Sequence, residues 1–178
     1  MPVLDSEILL KLSTVAGAAG NAGAGTPGAS LGKYISTTQV VSGDANDLFL
    51  DVTGTENAAS QIDYQCVFVH NSNATADMIG AAIYIVSQVA SGTSFAIGVD
   101  PTAISAIGAS PAQAVQVASD ITAPLGVTFS NPTTEGTALA LGDIGPGECK
   151  AFWVRRTAAN TGSVANDGGV IEIVADTL

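Results

Sequence analysis

The sequence predicts an all-β fold: an antiparallel β-sandwich or jelly-roll-like single domain with an extended N-terminal arm. Short runs rich in β-branched and aromatic residues recur along the chain, and clusters of Gly, Pro, Asn and Asp separate them. This spacing of strands and turns is typical of a sandwich. The chain has 178 residues, 47% of them hydrophobic, which is enough for one domain with a buried core.

Residues 1–33 are predicted to be an N-terminal arm or linker, and residues 34–178 the β-sandwich domain. Within the arm, Ser6 to Ser13 has the composition of a first strand. The stretch from Val15 to Ser30 consists mostly of Gly, Ala and Ser, so it offers no large side chain to bury. Two interpretations remain open: a flexible arm held by a neighbouring subunit, or a loop folded back on its own domain.

Nine further segments have the alternation or the β-branched and aromatic enrichment of strands. They are Lys33–Val41, Leu48–Val52, Ile62–Asn71, Ile79–Val89, Ser94–Val99, Ala114–Ala118, Val127–Ser130, Cys149–Arg156 and Val170–Ala175. Turn-forming residues lie between them at Ser42–Asp47, Asn71–Asn73, Asn131–Thr134, Gly145–Gly147 and Asn166–Gly169. The Ala-rich segment Asp100–Ala118 is predicted to be a short helix or a long crossover loop, because Gly108 and Pro111 would end a longer helix.

Charge is scarce and unevenly distributed. Only 12% of the residues are charged, against about 25% in typical domains. The chain has 16 acidic and 5 basic residues, which gives a net charge of -11. This balance disfavours direct nucleic-acid binding, which needs a basic surface. An acidic exterior keeps a protein soluble when it is present in many copies. The low fraction of charged residues suggests that neighbouring subunits cover much of the surface. We therefore expect a homo-oligomer.

Three of the five basic residues, Lys150, Arg155 and Arg156, lie in one short segment. Because side chains alternate along a strand, Arg155 and Arg156 are expected on opposite faces. Together with Lys33 and Tyr34 they are the candidate interface residues. The cationic segment either pairs with carboxylates of a neighbouring subunit or is a solvated strand end. Trp153, in the same segment, is predicted to be a core residue.

The sequence offers little chemistry for catalysis. His70 is the only histidine, which excludes a triad or a two-histidine metal site within one chain. It is predicted to cap a turn, with a pH-sensitive interface contact as the alternative. Asp44, Asp47 and Asp51 lack the spacing of a calcium loop. No catalytic, cofactor-binding or metal-binding residue is predicted, and we expect a non-enzymatic protein.

The two cysteines, Cys66 and Cys149, both lie in apolar strand-like runs. Two buried free thiols are one interpretation. If the two strands are neighbours, a disulfide is the other, and the sequence does not decide between them.

The first residues, MPVLDSEILLKL, lack the basic n-region and cleavage site of a signal peptide. The longest apolar stretch, Met78 to Val86, is too short to cross a bilayer. We therefore expect synthesis in a cytoplasm and no membrane partner.

Three segments resemble small tailed-bacteriophage virion structural proteins of the capsid decoration or cement kind. They are SLGKYISTT (30–38), ENAASQIDYQCVFVHNSNAT (56–75) and LGDIGPGECKAFWVRRTAANT (141–161). The three segments together contain 50 of the 178 residues. It implies a β-sandwich, a virion location after synthesis in the host bacterial cytoplasm, and no catalysis.

Within that resemblance we expect a decoration protein on the outer head shell, with the major capsid protein and neighbouring copies as partners. The arm would add a strand to an exposed sheet edge, so deleting residues 1–33 should abolish binding and leave the sandwich folded. One alternative is a tail, collar or fibre-base protein. Another is a carbohydrate-binding sandwich, which would need an exposed aromatic platform.

Overall fold

Two antiparallel sheets pack face to face in the computed structural model, which describes residues 2–90, 92–109, 111–162, 164 and 167–177. Strands account for 40% and helices for 8% of the structure, so the predicted all-β sandwich is confirmed. The strands are β1 (Ile8–Thr14), β2 (Tyr34–Gln39), β3 (Ile62–Asn71), β4 (Met78–Gln88), β5 (Ser94–Val99), β6 (Ser105–Ala106), β7 (Leu139–Ile144), β8 (Glu148–Thr157) and β9 (Gly169–Thr177). One short helix, α1 (Gly54–Ala58), and 3-10 turns at Asp5–Glu7, Pro27–Ala29 and Glu135–Thr137 complete the described elements. None of the helical segments in these ranges has the length and apolar content required to span a bilayer.

The larger sheet has the strand order β2-β1-β3-β8-β5, and the short strand β6 also pairs with β8. The β3–β8 ladder forms its centre and runs from Ile62 opposite Thr157 to His70 opposite Cys149. On the side of β8 away from β3, strand β5 pairs with one part of β8 and strand β6 with another. The smaller sheet has the order β7-β4-β9, with β4 in the middle.

The main core lies between the two sheets. Large apolar residues of the larger sheet meet those of the smaller sheet there: Val67, Val69, Ile97, Phe152 and Val154 face Met78, Ala81, Ile83, Ile85, Leu141 and Ile144. All of these are buried, so this layer supplies most of the hydrophobic stabilisation of the sandwich.

A second apolar cluster covers the opposite face of the larger sheet. Cys66, Phe68 and Trp153 contribute from β3 and β8, and loop residues such as Ala114 and Val117 cover them. The larger sheet is therefore buried on both faces, which explains why β3 and β8 are near-continuous apolar runs rather than alternating ones.

Six of the nine predicted strands beyond the arm correspond to β2, β3, β4, β5, β8 and β9. The predictions of strands at Leu48–Val52, Ala114–Ala118 and Val127–Ser130 are wrong, since these segments are loops apart from an isolated bridge between Ser130 and Ile97. Their apolar side chains pack against the sheets without belonging to a strand. Phe49 joins the core between the sheets, and Val117 joins the second apolar cluster.

The described residues of the segment Asp100–Ala118 contain no helix and form a long crossover loop that includes β6. Strand β7 was not predicted, because its sequence LALGDI contains residues with low β propensity. The predicted turn at Asn166–Gly169 begins at a residue outside the described ones.

The structure differs from the predicted boundary between arm and domain. Strand β1 lies inside the larger sheet, between β2 and β3. The segment that follows also packs on the domain, since Ser30 Oγ donates to the carbonyl oxygen of Cys66 at 2.5 Å and Cys66 N donates to that of Ser30 at 2.9 Å. Small side chains permit this close approach. At Gly32, with φ +86°, an added Cβ would lie 1.8 Å from the carbonyl oxygen of Val115.

Candidate interaction site

Lys150 is buried at the start of β8, with 8% of its surface exposed. Its Nζ donates to the carbonyl oxygens of Asp100, at 2.8 Å, and Thr102. Burial lowers the pKa of Lys150, and the nearby Asp100 charge opposes this effect. The structure thus uses this predicted interface residue inside the chain, where it holds the start of the crossover loop.

Asp100 ties the crossover loop to the larger sheet from its buried position. Its Oδ2 accepts hydrogen bonds from Trp153 Nε1 at 2.8 Å and Val115 N at 3.0 Å, and its Oδ1 accepts one from Thr102 N at 2.8 Å. Trp153 is fully buried, as predicted. The carboxylate therefore satisfies the indole N–H that burial of a tryptophan would otherwise leave unpaired.

Arg156 is also held within the chain. Its Nη2 lies 2.7 Å from Asp63 Oδ2, its Nε donates to the same oxygen at 3.2 Å, and the two side chains are 10% and 6% exposed. Nη1 donates to the carbonyl oxygen of Leu50, and Cζ lies 4.6 Å from the ring centroid of Phe49. The carboxylate partner expected from a neighbouring subunit is thus supplied by β3 of the same chain.

Arg155 lies on the opposite face of β8, as strand alternation requires. It is half-buried, with Cζ 5.4 Å from the ring centroid of Phe129. Lys33 has its Nζ 5.1 Å from the ring centroid of Tyr34 and donates to the carbonyl oxygen of Val15 at 3.3 Å. Arg155, Lys33 and Tyr34 are all partly accessible, so their role in an interface stays a prediction.

His70 has 5% of its surface exposed, and neither ring nitrogen has a hydrogen-bond partner among the described residues. Burial, and to a smaller extent the positive charge of Lys11, lowers the pKa of His70 from 6.5 to about 4. It lies opposite Leu9 of β1 and Cys149 of β8. The ring is therefore neutral at pH 7 and is a buried strand residue rather than the predicted turn cap.

The turn after β3 is stabilised by two asparagines instead. Asn73 Oδ1 accepts from Thr75 N and Ala76 N, both at 2.8 Å, and Asn71 Nδ2 donates to the carbonyl oxygen of Ile144 at 3.0 Å. Beside this turn is a shallow depression of about 340 Å³, lined by His70, Ser72, Asn73, Ala74, Ile107, Pro146 and Gly147.

Both cysteines are free and buried. Strands β3 and β8 are neighbours, but Cys66 lies opposite Trp153 and Cys149 opposite His70. Four residues along a strand correspond to about 13 Å, whereas a disulfide needs Cα atoms within about 7 Å. Burial raises the pKa of Cys149 to about 12 and that of Cys66 well above its usual range, so both are inert thiols at neutral pH.

Asp44, Asp47 and Asp51 do not form a metal cluster, and the described ranges contain no group of three or more His, Cys, Asp or Glu side chains placed to hold a metal ion. Asp47 accepts a hydrogen bond from Val41 N, which closes the loop after β2.

The chain's own loops close the β2 edge of the larger sheet. Gly20 N donates to the carbonyl oxygen of Ile35 at 2.8 Å, and Thr37 N donates to that of Ala22 at 2.9 Å. The amide of Ile35 donates to Gln113 Oε1 at 3.1 Å. The small residues of the predicted arm therefore act as an edge cover within the chain.

The β5 edge of the same sheet is also covered. Ile97 and Ser130 exchange two backbone hydrogen bonds, at 2.8 and 2.9 Å. In the smaller sheet, by contrast, β9 is an edge strand that pairs with β4 alone among the described strands. Sequence reasoning missed this open edge, although the absence of Lys, Arg and Pro between residues 169 and 177 was a usable signal.

Comparison with known proteins identifies no relative: no family model, no curated protein and no solved structure gives a significant match to this chain.

Proposed function

We propose that this protein is a non-enzymatic structural component of a tailed-bacteriophage virion, a decoration protein that binds and stabilises the outer head shell. One observation carries the proposal. The segments that resemble phage decoration proteins, residues 30–38, 56–75 and 141–161, supply most of β2 and all of β3 and β8 in the larger sheet, and the third also supplies most of β7 in the smaller sheet. Residues far apart in the sequence thus come together in one structural unit, which supports a likeness in architecture rather than scattered matches.

The distribution of charge also supports the proposal. Lys150 and Arg156 are buried, so the basic groups contribute less to the surface than the composition suggests. A chain of net charge -11 then presents a mainly acidic exterior. Such an exterior keeps a protein soluble at high copy number and repels nucleic acid and other polyanions.

The structure argues against attachment to a shell through the N-terminal arm. Because β1 pairs with β2 and β3, residues 8–14 belong to the sheet and are not free to bind a partner. The smaller sheet has accessible apolar side chains instead, with Val86 46% and Val170 54% exposed. We assign shell binding to this side of the sandwich.

The test is cosedimentation of the full-length protein with undecorated heads and, in parallel, with tails from the same phage. We expect saturable binding to heads and none to tails, together with a higher temperature for head disruption in the decorated sample. An unrelated acidic β-sandwich protein is the control for nonspecific adhesion.

Binding to tails alone would replace this proposal with that of a tail, collar or fibre-base protein. Binding to neither particle would remove the virion assignment. A protein that stacks in tail rings should also form closed oligomers by itself, which sedimentation velocity of the free protein measures.

A further inference from the structure

The edge of β9 is long and regular. The strand has nine residues, Gly169–Thr177. Its pairing with β4 has two irregularities, between Ile79 and Ala82 and between Ile85 and Ser87, and at both β4 uses one residue more than β9. The bulges therefore belong to β4, and β9 itself continues without interruption. A strand of this kind leaves a row of backbone N–H and C=O groups able to pair with another strand.

One face of β9 is apolar and incompletely covered. Ile171, Ile173 and Ala175 face the core between the sheets, but each is only partly buried. A strand added alongside β9 would bring its own apolar residues against these three and extend the core. The surface thus fits a partner strand with apolar residues at alternate positions.

The other face of β9 carries two carboxylates beside Val170 and Val174. Glu172 and Asp176 are both exposed and lie four residues apart, so they project from the same face of the strand. A second copy of β9 would bring the same carboxylates to this edge, and the chain as a whole carries a net charge of -11. Charge complementarity therefore favours a basic partner strand over a second copy.

We propose that the free edge of β9 binds an extended strand of a different protein, with apolar residues on one face and two lysine or arginine residues, four apart, on the other. The basic residues lie opposite Glu172 and Asp176, and the apolar ones pack beside Ile173. This inference goes beyond the proposed function, because it specifies the surface and the partner's chemistry whichever assembly the partner belongs to.

A synthetic peptide tests the proposal with the full-length protein. The probe has nine residues, with valine at the even positions, lysine at the third and seventh and threonine at the others. The matched peptide has glutamate in place of both lysines. We expect the lysine peptide to bind at least about ten-fold more tightly at low salt. In amide NMR spectra the shifts should be confined to β9 and the adjoining β4.

The double variant Glu172→Lys/Asp176→Lys should reverse the preference and bind the glutamate peptide more tightly. Asp5→Lys/Asp44→Lys is the matched control, since it makes the same change in net charge at two exposed residues outside the smaller sheet. It should retain the preference for the lysine peptide.

Equal binding of both peptides, or shifts that map outside the smaller sheet, would overturn the proposal. So would concentration-dependent self-association that broadens β9 signals without peptide, because the occupant would then be a second copy.

Discussion

The two sheets of the sandwich differ in how much of their surface the chain itself covers. The larger sheet packs on the smaller one with one face, is covered by loops on the other, and has backbone hydrogen bonds closing its β2 and β5 edges. The smaller sheet has one face in the core, exposed apolar residues such as Val86 and Val170, and an edge strand, β9, without a second neighbour among the described strands. The chain itself thus covers most of the larger sheet, whereas the smaller sheet leaves apolar side chains and a strand edge accessible.

The largest effect is expected from deleting residues 2–33. This removes β1 from between β2 and β3, together with Ser30 and its bonds to Cys66. Several ladders and a cover of the larger sheet are lost at once, so we expect no cooperative unfolding transition by circular dichroism. As a control, Leu4→Ser changes a residue that is 56% exposed in the same segment and should melt like wild type. A truncated protein with a wild-type transition would show that β1 is dispensable and would restore the arm hypothesis.

The buried ion pair of the larger sheet should give the next largest effect. Arg156→Leu leaves Asp63 buried without its charged partner, which costs about 3–5 kcal/mol of unfolding free energy. The double variant Arg156→Leu/Asp63→Leu should recover part of that loss, because no unpaired charge remains. Urea unfolding of the two single variants and the double variant measures this coupling.

Arg155→Leu is the matched control, since this neighbour is half-buried on the other face of β8 and has no ion pair among the described residues. It should cost about 1 kcal/mol or less. If Arg156→Leu cost no more than Arg155→Leu, the pair would not be buried in solution as it is in the structure.

Acid should weaken the larger sheet through His70. Its pKa is lowered from 6.5 to about 4 in the folded protein, so the unfolded chain binds a proton first as the pH falls. The contribution of the neutral His70 ring to the free energy of unfolding is fully present above pH 6.5 and is lost progressively as the pH falls toward 4. By pH 5 the loss of unfolding free energy is about 2 kcal/mol. Urea unfolding at pH 7 and pH 5 measures it.

His70→Leu is the comparison for the pH effect, because it removes the titrating ring from a buried strand position. The variant should lose clearly less stability than wild type between pH 7 and pH 5. Identical pH dependence in both proteins would show that His70 titrates normally, and hence that this end of the β3–β8 ladder is open to water.

The sequence predicted the strands of the larger sheet better than the contacts of its charged side chains, for physical reasons. The apolar run CVFV marks the middle of β3 directly, because a strand segment buried on both faces favours apolar residues at successive positions. Loops that cover a sheet need the same residues, so the composition of Ala114–Ala118 predicts a strand where the structure has a loop. The partners of Arg156 and Lys150 depend on contacts with Asp63 and Asp100, far away in the sequence. Composition shows that cations are few but not that they are buried.

The smallest effect should come from Val170→Thr in β9, which is compared with the same substitution at a buried position of the larger sheet. Val154→Thr in β8 places a hydroxyl at a fully buried position, which costs about 1–3 kcal/mol if the group finds no partner. Val170→Thr in β9 makes the same change where the side chain is 54% exposed, and its unfolding free energy should change by less than about 0.5 kcal/mol. Urea unfolding of both variants at one pH gives the comparison. A large loss for Val170→Thr would mean that the chain already covers the start of β9. A small loss at both sites would mean that the larger sheet is less completely buried than its two apolar clusters imply.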